Sequence, residues 1–142
     1  MLVVDTSVAV KWCVPESGRD IEAGTDAALA LLSTALIAPD CIAAEFANEL
    51  FKKVKAGEIA HEQAMASVRI LPDIVTMVSA IPLVKPALQM AVELSHPVHD
   101  CLFLVLAMQQ STSLVTADAK FVTRCRETMP GLPIRLLGEV GL

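Results

Sequence analysis

Apolar positions along this chain recur in two periods, and the switches between them mark alternating short strands and helices. Leu2–Val4 is a β-branched run that stops at Asp5, the pattern of a buried strand. Residues 7–12 read as one or two helical turns halted near Pro15, and the polar, glycine-bearing stretch 16–24 as a loop. A helix is predicted over 25–33, with Thr25 or Asp26 near its cap, and a second short strand at 35–38 before Pro39. From Asp40 onward Ile42, Phe46, Ala47, Leu50, Phe51 and Val54 repeat at three- and four-residue intervals, and Gly57 ends the pattern. Residues 58–71 repeat it with Ile59, Ala64, Met65, Val68 and Leu71, giving a helical hairpin with its turn at 56–60.

Beyond an ambiguous stretch, 81–84 reads as a strand entering a helix at 86–94, and His96-Pro97 breaks the chain. The apolar run 101–108 is too long for an ordinary strand once Gln109 and Gln110 continue it, so it is expected to be a core helix. Leu114–Thr116 is a strand, Asp118 precedes a helix running to about Arg126, and 134–137 is a last short strand. This alternation predicts an α/β domain with a central, mainly parallel sheet of about five short strands.

Composition supports a single domain over 1–142: 142 residues, 54% hydrophobic and 19% charged, leave no place for intrinsic disorder. A mean hydropathy of +0.59 raises the membrane question. The longest uncharged apolar stretch, 27–39, is shorter than the roughly 18 residues a span requires. The surplus apolar character fits strands and helices buried on more than one side. The N-terminus meets Asp5 without a basic leader, so a cytoplasmic protein is expected. Cys13, Cys41, Cys101 and Cys125 are widely spaced, without a zinc pattern, and read as reduced apolar side chains. A net charge of −5 excludes a strongly basic nucleic-acid footprint, an objection that weakens if some acids bind a cation.

Asp5 and Asp118 follow the carboxyl ends of predicted strands, where open parallel sheets bind ligands. Asp100 begins a helix after a proline loop, and Glu45 lies one turn into the helix after the second strand. Gathered at one sheet edge, these four would repel one another and require a cation or protons. An all-oxygen set favours Mg²⁺ or Mn²⁺ over zinc and suits hydrolysis of a phosphodiester by activated water. Each acid also has a local reading. Asp5, Asp100 and Asp118 suit helix N-caps, and Glu45 shares its helix with a wet Glu49. Spacing alone specifies no reaction.

Four strings are more specific: VVDTSVAVKW at 3–12, AAEFANEL at 43–50, HDCLFLVLA at 99–107 and LVTADAKF at 114–121. In this order they resemble the PIN-domain family, in particular the VapC-type toxin ribonucleases of toxin–antitoxin modules. The resemblance implies a three-layer α/β/α fold and an endoribonuclease dependent on Mg²⁺ or Mn²⁺. It assigns the acidic pocket to Asp5, Glu45, Asp100 and Asp118, with Asp5 and Asp100 as direct metal ligands. Glu45 and Asp118 would act through water or a second ion. Ser7 and Thr116 would support the acids, and Asn48 occupies the frequent place one turn after Glu45. It implies RNA as substrate, an antitoxin as partner (an antitoxin Arg entering the acidic pocket is a frequent mode) and a homodimer.

This chain departs from the family at His99, where many relatives carry Tyr. His96 and His99 make H-x-x-H, but Pro97 spoils a helical zinc pair. Trp12 is expected to pack rather than stack on a base. Without the four pocket acids the net charge of −5 becomes −1, so overall acidity does not forbid RNA. Candidate phosphate contacts are Lys11, Arg19, Lys52, Lys53, Lys55, Lys120 and Arg124. The apolar face of the hairpin around Phe51 and Val54 suits an amphipathic antitoxin helix. The competing readings are a catalytically silent PIN-fold module that binds RNA or protein, and a phosphoryl-transfer domain with Asp5 as nucleophile. The second lacks the D-x-D signature, since Thr6-Ser7 follows Asp5.

Overall fold

The computed structural model describes residues 1–13 and 24–139; the predicted loop at 16–24, apart from Gly24, lies outside them, Arg19 included. Five strands, β1 Leu2–Val4, β2 Leu36–Pro39, β3 Val75–Val78, β4 Leu114–Thr116 and β5 Ile134–Leu136, form one sheet in the order β3-β2-β1-β4-β5. Every pairing is parallel, with Val3 opposite Ile37 on one side and Leu114 on the other. The helices are α1 Thr6–Ala9, α2 Thr25–Ala30, α3 Ile42–Lys55, α4 His61–Ile74, α5 Val84–Leu94, α6 Val98–Gln109 and α7 Ala119–Thr128. Short 3₁₀ turns extend α1 and α2 and precede α5.

The connections explain the layers. From β1 the chain steps to β2 and β3 in one direction, then crosses to β4 and β5 in the other. Right-handed crossovers place helices on one face for the first direction and on the opposite face for the second. Contacts agree with a three-layer α/β/α sandwich: α3 packs on α1 and α4, while α5 packs on α6 and α7. The reversal of direction falls between β1 and β4, so the crevice for a ligand opens beyond Val4 and Thr116.

The core is continuous across the sheet. Val3, Val4, Leu114 and Val115 are fully buried in its centre, and Phe46, Phe103 and Phe121 are the largest enclosed side chains among the described residues. Helix α6 lies over β1, β2 and β4 and buries seven consecutive residues, Cys101–Ala107. A helix apolar on every side is stable only in such a position. Among the described residues no single helix is long and apolar enough to cross a membrane.

Two expectations need correction. The third strand is Val75–Val78, paired with β2 along its length, and not 81–84. Pro82 explains the difference: it has no N–H for a sheet ladder, and its fixed φ suits the 3₁₀ turn Ile81–Leu83 that leads into α5. Helix α4 also passes Leu71 and Pro72 to end at Ile74. Pro72 lies in the last turn, so it removes a single hydrogen bond and leaves the rest of the helix intact.

Leu104 is fully buried in α6, whereas Val92 on α5 is 71% exposed. We expect Leu104→Ala to cost about 2–5 kcal/mol in urea denaturation and Val92→Ala no more than about 0.5 kcal/mol. Equal effects would contradict α6 as the centre of the core.

Candidate functional site

Asp5 follows β1 directly and is only 8% exposed. Its backbone is extended, and it caps α1: Oδ1 accepts from Val8 N at 3.4 Å. The same oxygen accepts from Ser7 Oγ at 2.5 Å, and Oδ2 accepts from Thr116 Oγ1 at 2.5 Å. The two hydroxyls therefore hold the carboxylate from either side, one from α1 and one from the end of β4. They are themselves held, since Ala117 N donates to Ser7 Oγ at 2.9 Å and Asp118 N to Thr116 Oγ1 at 3.1 Å. Such a network ties the ends of β1 and β4 together across the crevice.

Hydrogen bonding does not cancel the cost of the buried charge. Burial pushes Asp5 from its ordinary value of 3.8 up to about 6, the Ser7 and Thr116 hydroxyls pull it down, and the like charge of Asp100 adds to the rise. Glu45, in the first turn of α3, is also raised by burial. The Cys41 thiol and His99 lower it, while Asp100 and Glu49 raise it again. Its Oε2 is buried without a hydrogen-bond partner. Asp5 and Glu45 thus both lie within the field of Asp100.

Asp100 is in the first turn of α6, whose N-cap is Pro97; it neither begins the helix nor caps it. Its carboxylate is 37% exposed, and Oδ2 pairs with His96 Nε2 at 2.7 Å. Asp118 does cap α7, and Oδ1 accepts from Lys120 N at 3.0 Å and Phe121 N at 3.2 Å. It joins the network through its backbone, while its side chain serves the helix. Among the described residues no three His, Cys, Asp or Glu side chains stand arranged to hold a metal ion. The chemistry nonetheless fits a hard cation at Asp5, Glu45 and Asp100: one buried carboxylate, one half-buried, a third of like charge, and an orphaned oxygen.

The neighbours vary in role. Asn48 is exposed one turn after Glu45, and His99 is exposed in the first turn of α6. Trp12 packs against the core and donates from Nε1 to Ala28 O at 2.7 Å. Lys52 and Lys53 pair with Glu49 and Glu58 at the surface, and Lys55 is exposed. Lys120 and Arg124 line a shallow depression on α7. Three site neighbours escaped the sequence reading: Thr6, whose Oγ1 is buried without a partner, Cys41 beside Glu45, and His96 as the partner of Asp100. Cys41–Glu45 and His96–Asp100 share a four-residue spacing, a signal visible in the sequence.

A family model for the PIN domain matches residues 2–126. The chain belongs to the PIN domain family. Among curated proteins none matches it in sequence. Solved structures share its fold at low identity. PAE2754 from Pyrobaculum aerophilum superposes with a TM-score of 0.70 at 17% identity, over 96% of this chain and 89% of that one. VapC20 from Mycobacterium tuberculosis, a sarcin-ricin loop cleaving toxin, gives 0.67 at 15%, over 94% and 100%. VapBC2 from Rickettsia felis, bound to a DNA fragment from its promoter, gives 0.61 at 14%, over 95% and 97%. This PIN domain places the residues after β1 and β4 at the sheet's switch point, as its topology requires.

The Asp5 shift has a signed consequence. Folded Asp5 keeps its proton to higher pH than the unfolded chain, so between 3.8 and about 6 the folded state binds more protons. Stability therefore falls as pH rises through this window, and a cost on the order of 3 kcal/mol is fully present above it. We expect carboxyl ¹³C NMR to place the Asp5 midpoint near pH 6. Thr116→Val should raise the midpoint by removing a donor to the charged form, and saturating Mg²⁺ should lower it. A midpoint at the ordinary 3.8 would refute the burial argument.

Proposed function

We propose that this PIN domain is an endoribonuclease dependent on Mg²⁺ or Mn²⁺ that hydrolyses RNA phosphodiesters as the toxin of a toxin–antitoxin pair in the cytoplasm. The observation that carries the reading is the orphaned Glu45 oxygen in the field of Asp100, the same acid whose charge acts on buried Asp5. Structural carboxylates are normally satisfied, as Asp118 is by its helix. Family membership and likeness to a toxin that cleaves the sarcin-ricin loop support RNA as the substrate class.

Asp5 and Asp100 would hold the cation directly, and Glu45 and Asp118 would act through water. When bound, the ion supplies a more acidic water and positive charge against the developing charge of a phosphodiester. Ser7 and Thr116 keep the Asp5 carboxylate in one orientation. Glu45 Oε2, raised toward protonation and free of partners, is the acceptor for a proton from the attacking water. Lys120 and Arg124 offer positive charge to the RNA backbone on the α7 flank.

The surface supports two protein partners. Phe51 and Met65 are 60% and 54% exposed on α3 and α4, and Trp12, Leu32, Phe46 and Ile70 line a hollow of about 260 Å³. An amphipathic antitoxin helix suits that face. Ile81, Val84, Leu88 and Val92 form an exposed apolar stripe along α5 and the turn before it, which suits a second copy of the chain.

The test compares RNA cleavage by wild type, Asp5→Asn, Asp100→Asn and Glu45→Gln, with Mg²⁺ and with EDTA. Wild type should cleave only with the metal, both Asn variants should fall to background, and Glu45→Gln should lose about 10²–10⁴-fold. All should keep the native circular dichroism. Inactive wild type with intact RNA binding would favour the silent binding module instead, and cleavage by Asp100→Asn at the wild-type rate would remove its ligand role.

A further inference from the structure

His96 lies just outside the acidic cluster, and its side chain is fixed from three directions. Its backbone closes α5: Ser95 adopts a left-handed conformation at φ 51°, and His96 N donates to Ala91 O at 3.1 Å, the long bond of a Schellman ending. Its ring stacks on Phe121, with centroids 4.2 Å apart and planes 11° from parallel. Phe121 is fully buried in α7, and its backbone N–H is held by the Asp118 cap. The third restraint is the 2.7 Å contact from Nε2 to Asp100 Oδ2. A carboxylate only accepts, so Nε2 carries the hydrogen and donates.

The pair differs from an ordinary surface contact between residues four apart. The His96 side chain is 15% exposed, and the next residues are Pro97 and the start of α6, so the imidazole cannot follow a swinging carboxylate. An aspartate in a helix's first turn is otherwise free to rotate toward backbone N–H groups and act as a cap. Here Oδ2 is engaged away from the backbone. The oxygen Oδ1 is left for another partner.

We propose that His96 is a positioning residue for the cation site: it fixes the Asp100 carboxylate so that one oxygen is held by protein and the other is presented to a divalent ion. The proposal rests on the cation reading of the acidic cluster above. It gives His96 no direct ligand role, and it assigns the orienting effect to the Nε2 donor. Partners that orient a ligating carboxylate act on metal affinity even where they touch neither metal nor substrate.

The test measures Mn²⁺ binding to the full chain by electron paramagnetic resonance of the free ion, alongside thermal melting. Asp100→Asn should lose Mn²⁺ binding. His96→Phe keeps a ring on Phe121 and removes the donor, so it should weaken Mn²⁺ about 10–100-fold with little change in Tm. His96→Gln places an amide nitrogen near the position of Nε2 and should return the Kd to within about threefold of wild type. Wild-type affinity in His96→Phe overturns the proposal, as does a His96→Gln variant as weak as His96→Phe. Wild-type Mn²⁺ affinity in Asp100→Asn overturns the cation reading itself, and the proposal falls with it.

Discussion

A carboxylate at the end of the central strand must be buried, and most of what is unusual in this molecule follows from that constraint. β1 has neighbours on both edges and helices on both faces, so the residue after Val4 enters the crevice with little access to water. The chain places Asp5 there. Two hydroxyls donate to it, and two backbone N–H groups fix those hydroxyls in turn. This arrangement orients the carboxylate without neutralising it. Hydrogen bonds to an ionised group recover part of the lost hydration, while the remaining charge still calls for a proton or a cation.

The contrast with Asp118 separates being hydrogen-bonded from being compensated. Asp118 serves two backbone N–H groups at the positive end of a helix dipole, a role complete without any further ligand. Asp5 caps a helix of four residues through a single long contact, which adds little, and it lies in the field of Asp100. Glu45 lacks even a partner for Oε2. Three acids from β1, α3 and α6 thus share an unresolved electrostatic demand, while the fourth has a structural task of its own.

The sequence made the strands β1, β2, β4 and β5 legible because each is a short segment with apolar residues, alternating about Arg135 in β5, bounded by polar or turn residues. β3 was hidden because Val75–Val78 continues directly from α4 without a polar break, and Pro72 suggested an earlier stop than the helix makes. The acids were legible from their places after strands and near helix starts. Their orientations were not. Asp100 looked like a helix opener, yet the helix begins two residues earlier at Val98 and leaves the aspartate facing back toward His96. Spacing reports which residues share a face within one element. The pairing of Asp5 with Thr116, 111 residues away, exists only once β1 and β4 lie side by side.

Rigidity at the site comes from the core more than from the site itself. α6 cannot slide or turn without exposing part of its buried stretch Cys101–Ala107, so the backbone of Asp100 is set by packing over the sheet. α3 is different: Ile42, Phe46 and Leu50 face inward while Ala43, Ala44 and Asn48 face out, so Glu45 sits where a buried stripe meets solvent. A ligand set drawn from one helix locked by its core and one anchored along a single stripe has a fixed side and an adjustable side. That division lets a cation be gripped at Asp5 and Asp100 while Glu45 retains the freedom that a proton acceptor needs.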